Sequence, residues 1–184
     1  MKHRVVAIVL VAVMLLSFPG IAAAANLPVP VFGQLPLNNL CWATAASMVI
    51  AYGKPDNIDR KVDIAKMIHG AVNYNKGGTN ANMRDAVWTY LRWPGSIQNN
   101  MLSYTAVQYQ TNNGGPIIAR MSKNSGATLH ALTIRGYNTT GSKVFYNDPW
   151  NGKFYDKYTH TDLVLGRIND PWDWGIWNAG IFWR

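Results

Sequence analysis

The chain contains no glutamate: all nine of its acidic residues are Asp. That absence removes the zinc-protease signature H-E-x-x-H, the calcium loop that closes on a Glu, and any glycosidase built on a Glu pair. Cysteine is almost as scarce. The single residue Cys41 excludes an intramolecular disulfide framework and every multi-cysteine zinc, iron–sulfur or C-x-x-C redox site, and leaves one thiol to explain. No internal repeat, low-complexity tract or Pro/Gly/Ser linker divides the sequence, and no basic stripe interleaved with aromatics marks a nucleic-acid surface. Only 14% of the 184 residues are charged, against 48% hydrophobic and 12% aromatic, a composition able to bury a core.

What is present begins with Lys2 and Arg4, followed by twelve apolar residues from Val5 to Leu16, the break Ser17-Phe18-Pro19-Gly20, and Ala22-Ala23-Ala24-Ala25. These are the basic region, apolar region and small-residue cleavage site of a secretory signal; the apolar run is shorter than the ~20 residues of a spanning helix. The expectation is a signal peptide over 1–25, cleavage at or within a residue of Asn26, and one domain over 26–184, located outside the cytoplasm and without stable membrane insertion. Loss of Lys2 and Arg4 leaves fifteen Lys and Arg against nine Asp, a net charge of +6. A field of that sign favours anionic partners such as acidic cell-surface polymers or lipid headgroups, although the cations are scattered; nucleic acid is not an expected partner.

Along the rest of the chain, Asn26 to Gly33 carries Pro28 and Pro30 and should run extended. Ala43, Ala46, Val49 and Ile50 fit a buried helix from Cys41 to Tyr52, with Asn38 or Asn39 as cap and Gly53 as stop. Helical patterns follow near Asp59 to His69, Asn82 to Leu91 and Tyr104 to Gln110. After Pro116 the pattern changes to strands at Ile117 to Met121, Leu129 to Tyr137, Lys143 to Asn147 and Lys153 to Tyr158, with one more expected within Gly175 to Trp183. Helices first and antiparallel strands second predict an α+β fold with a cleft where the halves meet.

The chemistry centres on Cys41. A helix amino end favours the thiolate, the nucleophilic form, through its unpaired N–H groups and macrodipole. Such a thiol needs a base. His3 lies in the signal, His69 reads as a helix end before Gly70, and His160 reads as an exposed helix start. His130 enters an apolar strand as Leu129-His130-Ala131-Leu132, where a polar ring must find a partner. The next strand supplies one in Asn147-Asp148, where it meets the turn Pro149-Trp150, and adjacent antiparallel strands bring Asp148 beside His130.

The run Gln34-Leu35-Pro36-Leu37-Asn38-Asn39-Leu40-Cys41-Trp42-Ala43, then His130-Ala131-Leu132-Thr133-Ile134-Arg135-Gly136-Tyr137, then Asp148-Pro149-Trp150, resembles the papain-like cysteine peptidases in order and local signature. The likeness is to the compact bacterial branch that includes secreted effector peptidases and the peptidase domains of bacteriocin exporters. Gly77-Gly78-Thr79 and Gly115-Pro116-Ile117-Ile118 also resemble elements of that branch. The resemblance implies a helical half carrying Cys41 packed against an antiparallel sheet carrying His130 and Asp148, without metal or organic cofactor. It implies Cys41 as nucleophile, His130 as general base and acid, Asp148 as orienter, and Gln34 as an oxyanion donor beside the Cys41 N–H, with Trp150 shielding the His130–Asp148 bond. A secreted thiol peptidase acting on proteins or peptides is the expected function. The same triad would serve a cell-wall amidase or a transglutaminase-type acyltransferase, and a non-catalytic binding module is the reading from another class. Four tryptophans near the carboxyl end, at 172, 174, 177 and 183, offer either a contact platform or core and cleft-wall aromatics, the latter being favoured.

Overall fold

A computed structural model describes residues 23–122, 129–169 and 175–183. Helix α1, Cys41–Gly53, is buried along its whole middle, from Trp42 to Ala51. Ala43, Ala45, Ala46 and Ala51 keep its girth small, so neighbours approach it from every side rather than along one stripe. Helix α2, Lys61–His69, is tied to α1 through Ser47, whose hydroxyl accepts from the Arg60 N–H at 2.6 Å and donates to Asp59 Oδ1 at 3.2 Å. Helix α3, Asn80–Leu91, begins two residues ahead of its apolar pattern because Thr79 and Asn82 form a reciprocal capping box. Helix α4, Tyr104–Asn112, is capped by Ser103, and the short α5, His160–Val164, by Thr159 with Asp162.

The strands are β1 (Ala24–Asn26), β2 (Ser96–Gln98), β3 (Ile117–Ser122), β4 (Leu129–Asn138), β5 (Lys143–Asp148), β6 (Lys153–Tyr155) and β7 (Ile176–Phe182). They form one sheet in the order β2-β7-β3-β4-β5-β6, with β1 also paired to β4, and every pairing is antiparallel. Strand β4 is the hub. It pairs with β3 (Met121 opposite His130), with β5 (Thr133 opposite Asn147) and, beyond a bulge at Arg135, with β1 (Gly136 opposite Asn26). The continuous burial of His130–Ile134 follows, since neither edge nor face of that stretch is left to water.

Two apolar clusters flank the sheet. One joins α1, α2 and α3 to Ile118, Ala131 and Ile181; the other joins α4 and α5 to Ile117, Ala119, Leu132, Ile134 and Tyr146. The Thr133 hydroxyl donates to Ala45 O at 3.4 Å, fixing β4 against α1. The α+β expectation holds: a helical half carries Cys41, and the sheet carries His130 and Asp148.

Local expectations needed adjustment. Strand β6, expected to run to Tyr158, stops at Tyr155, because the chain turns away to form the Thr159 cap and meets β5 again through a Lys143–Thr159 bridge and the stacking of Tyr158 on Tyr146. Helix α1 runs through Gly53, whose missing side chain makes room for Leu91; an added Cβ would lie 2.4 Å from it. Trp177 and Trp183 are core residues, whereas Trp172 and Trp174 lie outside the described residues. Strand β1 spans the junction expected between leader and domain.

Candidate active site

Helix α1 starts at Cys41 with no side chain capping it. Asn38 and Asn39 do not cap it as expected: Leu40 occupies the cap position, and the Asn39 side chain is drawn to Asn75, donating to its carbonyl at 3.0 Å while Asn75 Oδ1 accepts from the Asn39 N–H. The first helical bond runs from Thr44 N–H to Leu40 O. The N–H groups of the first turn therefore point, without a side-chain acceptor, past the half-buried Cys41 thiol.

Across from it, β4 presents His130, 4% exposed, and β5 ends on Asp148, which is fully buried. His130 Nε2 donates to Asp148 Oδ1 at 2.7 Å, and the same oxygen accepts from the Trp150 N–H at 2.8 Å. With Nε2 so engaged, Nδ1 is the nitrogen left for the Cys41 thiol, to which the ring is also hydrogen-bonded. Burial alone pushes the imidazole pKa down. The bonds to Asp148 and Cys41, with the negative charge on both, outweigh it, and the pKa rises from 6.5 to about 9. With its pKa so raised His130 is protonated at neutral pH, held between the Asp148 carboxylate and Cys41.

Gln34 arrives from the other direction. The extended segment before it is pinned to the sheet by Leu27 N–H on Arg135 O at 2.9 Å, by Arg135 on Val29 O at 3.0 Å, and by Asn147 Nδ2 on Pro30 O at 3.1 Å. Gly33 then packs against Gly152, and the Gln34 N–H donates to Pro149 O at 2.6 Å. The turn that terminates β5 at Asp148 thus also positions Gln34. Its buried side chain donates one amide hydrogen to Asn38 O at 2.8 Å, and the residue lines the same cleft as Cys41.

The cleft holds about 280 Å³ and is lined by Gln34, Cys41, Trp42, His130 and Trp150 together with Gly77 and Gly78. The glycine wall is anchored at both ends. Asn39 holds Asn75, Trp42 Nε1 donates to Lys76 O at 2.8 Å, and His69 Nε2 contacts Gly77 O at 3.1 Å while its ring meets Trp42 edge-on. Gly78 lies flat on the indole, where a Cβ would stand 2.2 Å from the ring; at Gly77 nothing lies within 4 Å. An extended chain could run beside that open backbone.

Of the predicted site residues, Cys41, His130 and Gln34 line this one cleft, and Asp148 is buried and bonded to His130. His69 does more than close its helix, since it braces the glycine wall. His160 is half-buried rather than exposed: Nε2 contacts Leu102 O at 2.8 Å and the ring packs on Tyr104 and Trp177, away from the cleft. Sequence reasoning missed Asn39, Asn75 and Arg120. For Arg120 a signal existed, a lone cation inside the apolar strand Ile117-Ile118-Ala119-Arg120-Met121.

A helical half and an antiparallel sheet meeting over a thiol, an imidazole and a carboxylate define the papain-like cysteine peptidase class. A family model described as the Peptidase_C39 like family matches residues 26–174, so the chain belongs to that family and is a cysteine peptidase, a hydrolase acting on proteins or peptides. Three solved structures share the fold. A putative C39-like peptidase from Bacillus anthracis is 15% identical, with 88% of this chain and 98% of that one covered and a TM-score of 0.55. The active wild-type interpain A cysteine protease of Prevotella intermedia is 17% identical, with 88% and 94% covered and a TM-score of 0.61. Xylellain, a cysteine protease from Xylella fastidiosa, is 12% identical, with 73% and 78% covered and a TM-score of 0.53. No curated protein matches the chain.

Two predictions follow from this geometry. Because its folded pKa lies above the unfolded 6.5, protonated His130 stabilises the fold fully below that value, and the contribution disappears as pH rises through about 9. The alkaline limb of kcat/KM should fall over the same range; a limb starting near pH 7 would contradict the assignment. Gly78→Ala should push the glycine wall off Trp42 and lower kcat/KM by on the order of a hundredfold, the scale of an ångström-sized misplacement. Full activity of a folded Gly78→Ala protein would show that the wall takes no part in substrate placement.

Proposed function

We propose that the protein is an exported peptidase in which Cys41, His130 and Asp148 form the catalytic triad and Gln34 completes the oxyanion site. The observation that carries this reading is the buried His130–Asp148 pair hydrogen-bonded to the only cysteine at an open cleft. The Cys41 thiolate attacks the scissile carbonyl carbon, and the electron pair of the C=O bond moves onto oxygen. That oxyanion receives the Cys41 N–H and the second Gln34 amide hydrogen, donors worth ~2.7–4 kcal/mol apiece when aimed at developing charge. As the C–N bond breaks, His130 Nδ1 gives its proton to the departing amine and becomes neutral. It then takes a proton from water, whose oxygen attacks the Cys41 thioester; thiolate leaves, and the acid product is released.

Asp148 holds the ring through Nε2, and the Trp150 N–H fixes the carboxylate in turn. Because both ring nitrogens carry protons in the resting pair, an Asn carbonyl would accept the same bond. Asp148→Asn is therefore expected to keep kcat/KM within about tenfold, whereas Asp148→Ala, which frees the ring, should lose about a hundredfold or more. Cys41→Ala should be inactive, and circular dichroism should show all three folded. A folded Asn variant as inactive as Cys41→Ala would mean that the negative charge itself is required.

Export is supported by the basic end, the apolar run Val5 to Leu16 and the alanine-rich site; among the described residues no helix is long and apolar enough to cross a membrane. The surplus of cations suits an anionic cell-surface polymer as a secondary contact. Cleavage after Ala25 would remove two residues of β1 and leave Leu27 N–H on Arg135 O as the first tie to the sheet. Amino-terminal sequencing of protein recovered outside the cytoplasm should begin within a residue of Asn26; an intact Met1 would exclude processing.

A further inference from the structure

Arg120 is the cation the mechanism leaves unused. It sits in β3 between Ala131 of β4 and Ala179 of β7, in the middle of the sheet, where a charged side chain is costly to hold. The residue is half-buried in a strand whose other members are buried. Arg120 makes no ion pair or hydrogen bond among the described residues, and its Nε is shut away from water without an acceptor. The side chain lines two spaces at once: the cleft of Cys41 and His130, and a neighbouring cavity walled by Asn99, Asn100, Trp177 and Asn178. In that second cavity Asn178 donates through Nδ2 to the Ser122 hydroxyl, while its Oδ1 is buried without a partner. Neither space has an Asp in its lining.

We propose that Arg120 is the specificity-determining residue of the cleft, forming a subsite for a carboxylate on the peptide substrate. This rests on the Cys41 peptidase reading. An arginine fork matches a carboxylate in two parallel N–H···O bonds, which the terminal nitrogens of Arg120 supply from the cleft wall. Because one small cleft contains both Cys41 and Arg120, and an extended chain advances ~3.3–3.6 Å per residue, the carboxylate lies within a few residues of the scissile bond. It belongs either to an acidic side chain or to the free end of a short peptide.

The test separates binding from turnover. Folded Cys41→Ala protein is titrated with hexapeptide libraries, acetylated and amidated, in which one position at a time is Glu or Gln, and with the Gln libraries carrying a free carboxyl end. At one position Glu should bind about tenfold or more tightly than Gln, as a charge-assisted pair requires, and more weakly as salt rises. A preference confined to the free-acid libraries would instead assign the subsite to the chain terminus. The Arg120→Gln change, made in the same background, should abolish the preference, and Arg120→Lys should retain part of it, with circular dichroism confirming both folds. Equal affinity for Glu, Gln and free-acid libraries would overturn the proposal, as would a preference that survives Arg120→Gln. In parallel the wild-type protein is assayed for cleavage: turnover without carboxylate preference leaves the peptidase reading standing and sinks the Arg120 subsite, whereas preference in binding without turnover does the reverse.

Discussion

The 2.7 Å bond between His130 Nε2 and Asp148 Oδ1 sets the conditions that the neighbouring segments must meet. Taking an imidazole and a carboxylate out of water costs several kcal/mol for each ion, and only close geometry with further hydrogen bonds offsets that. The chain provides both. Adjacent strands hold the two residues, the Trp150 N–H supplies another donor to the carboxylate, and the Cys41 thiol occupies the other side of the ring. Removing one member would leave a buried charge uncompensated, a loss of about 3–5 kcal/mol where it has been measured in other proteins. Stability and chemistry thus depend on the same contact.

That contact also explains why such distant segments meet. The β5–β6 turn holds Asp148 and at the same time receives Gly33 and Gln34, so the orienting carboxylate and the oxyanion amide share one support. On the helical side, the bare amino end of α1 and the glycine wall share another, through Asn39, Trp42 and His69. The cleft is therefore built from two preassembled walls, and Thr133 on Ala45 is one of the bonds that fixes their separation. Placing donors and nucleophile on such rigid supports keeps reorganisation small when charge develops on the substrate.

Much of this was legible in the sequence because the informative residues violate their local pattern. A histidine inside Leu129-His130-Ala131-Leu132 and a lone cysteine opening an alanine-rich helix each demand a partner, and strand order supplies it. The α+β division was legible because α3 repeats near 3.6 residues, whereas β3 to β5 are largely buried runs bounded by turn residues. The rest depends on contacts that no window contains. Strand β2 has three residues, too few to show alternation, and β1 hides in the alanine run of the expected leader. Asn39 reads as a helix cap until Asn75, 36 residues away, claims its side chain. The bulge at Arg135, in the pairing of β4 with β5, leaves no local mark. Arg120 was visible as an oddity, but only the two spaces it lines give it a direction.

The most direct test is the protonation state of one ring. Nitrogen-15 resonances of the histidine side chains, with His130 assigned by its loss in His130→Ala, report whether one or both ring nitrogens carry a proton. The account predicts a doubly protonated His130 ring at pH 7 that titrates at about 9. A His130 ring with a single proton at pH 7 in the folded wild-type protein would contradict it.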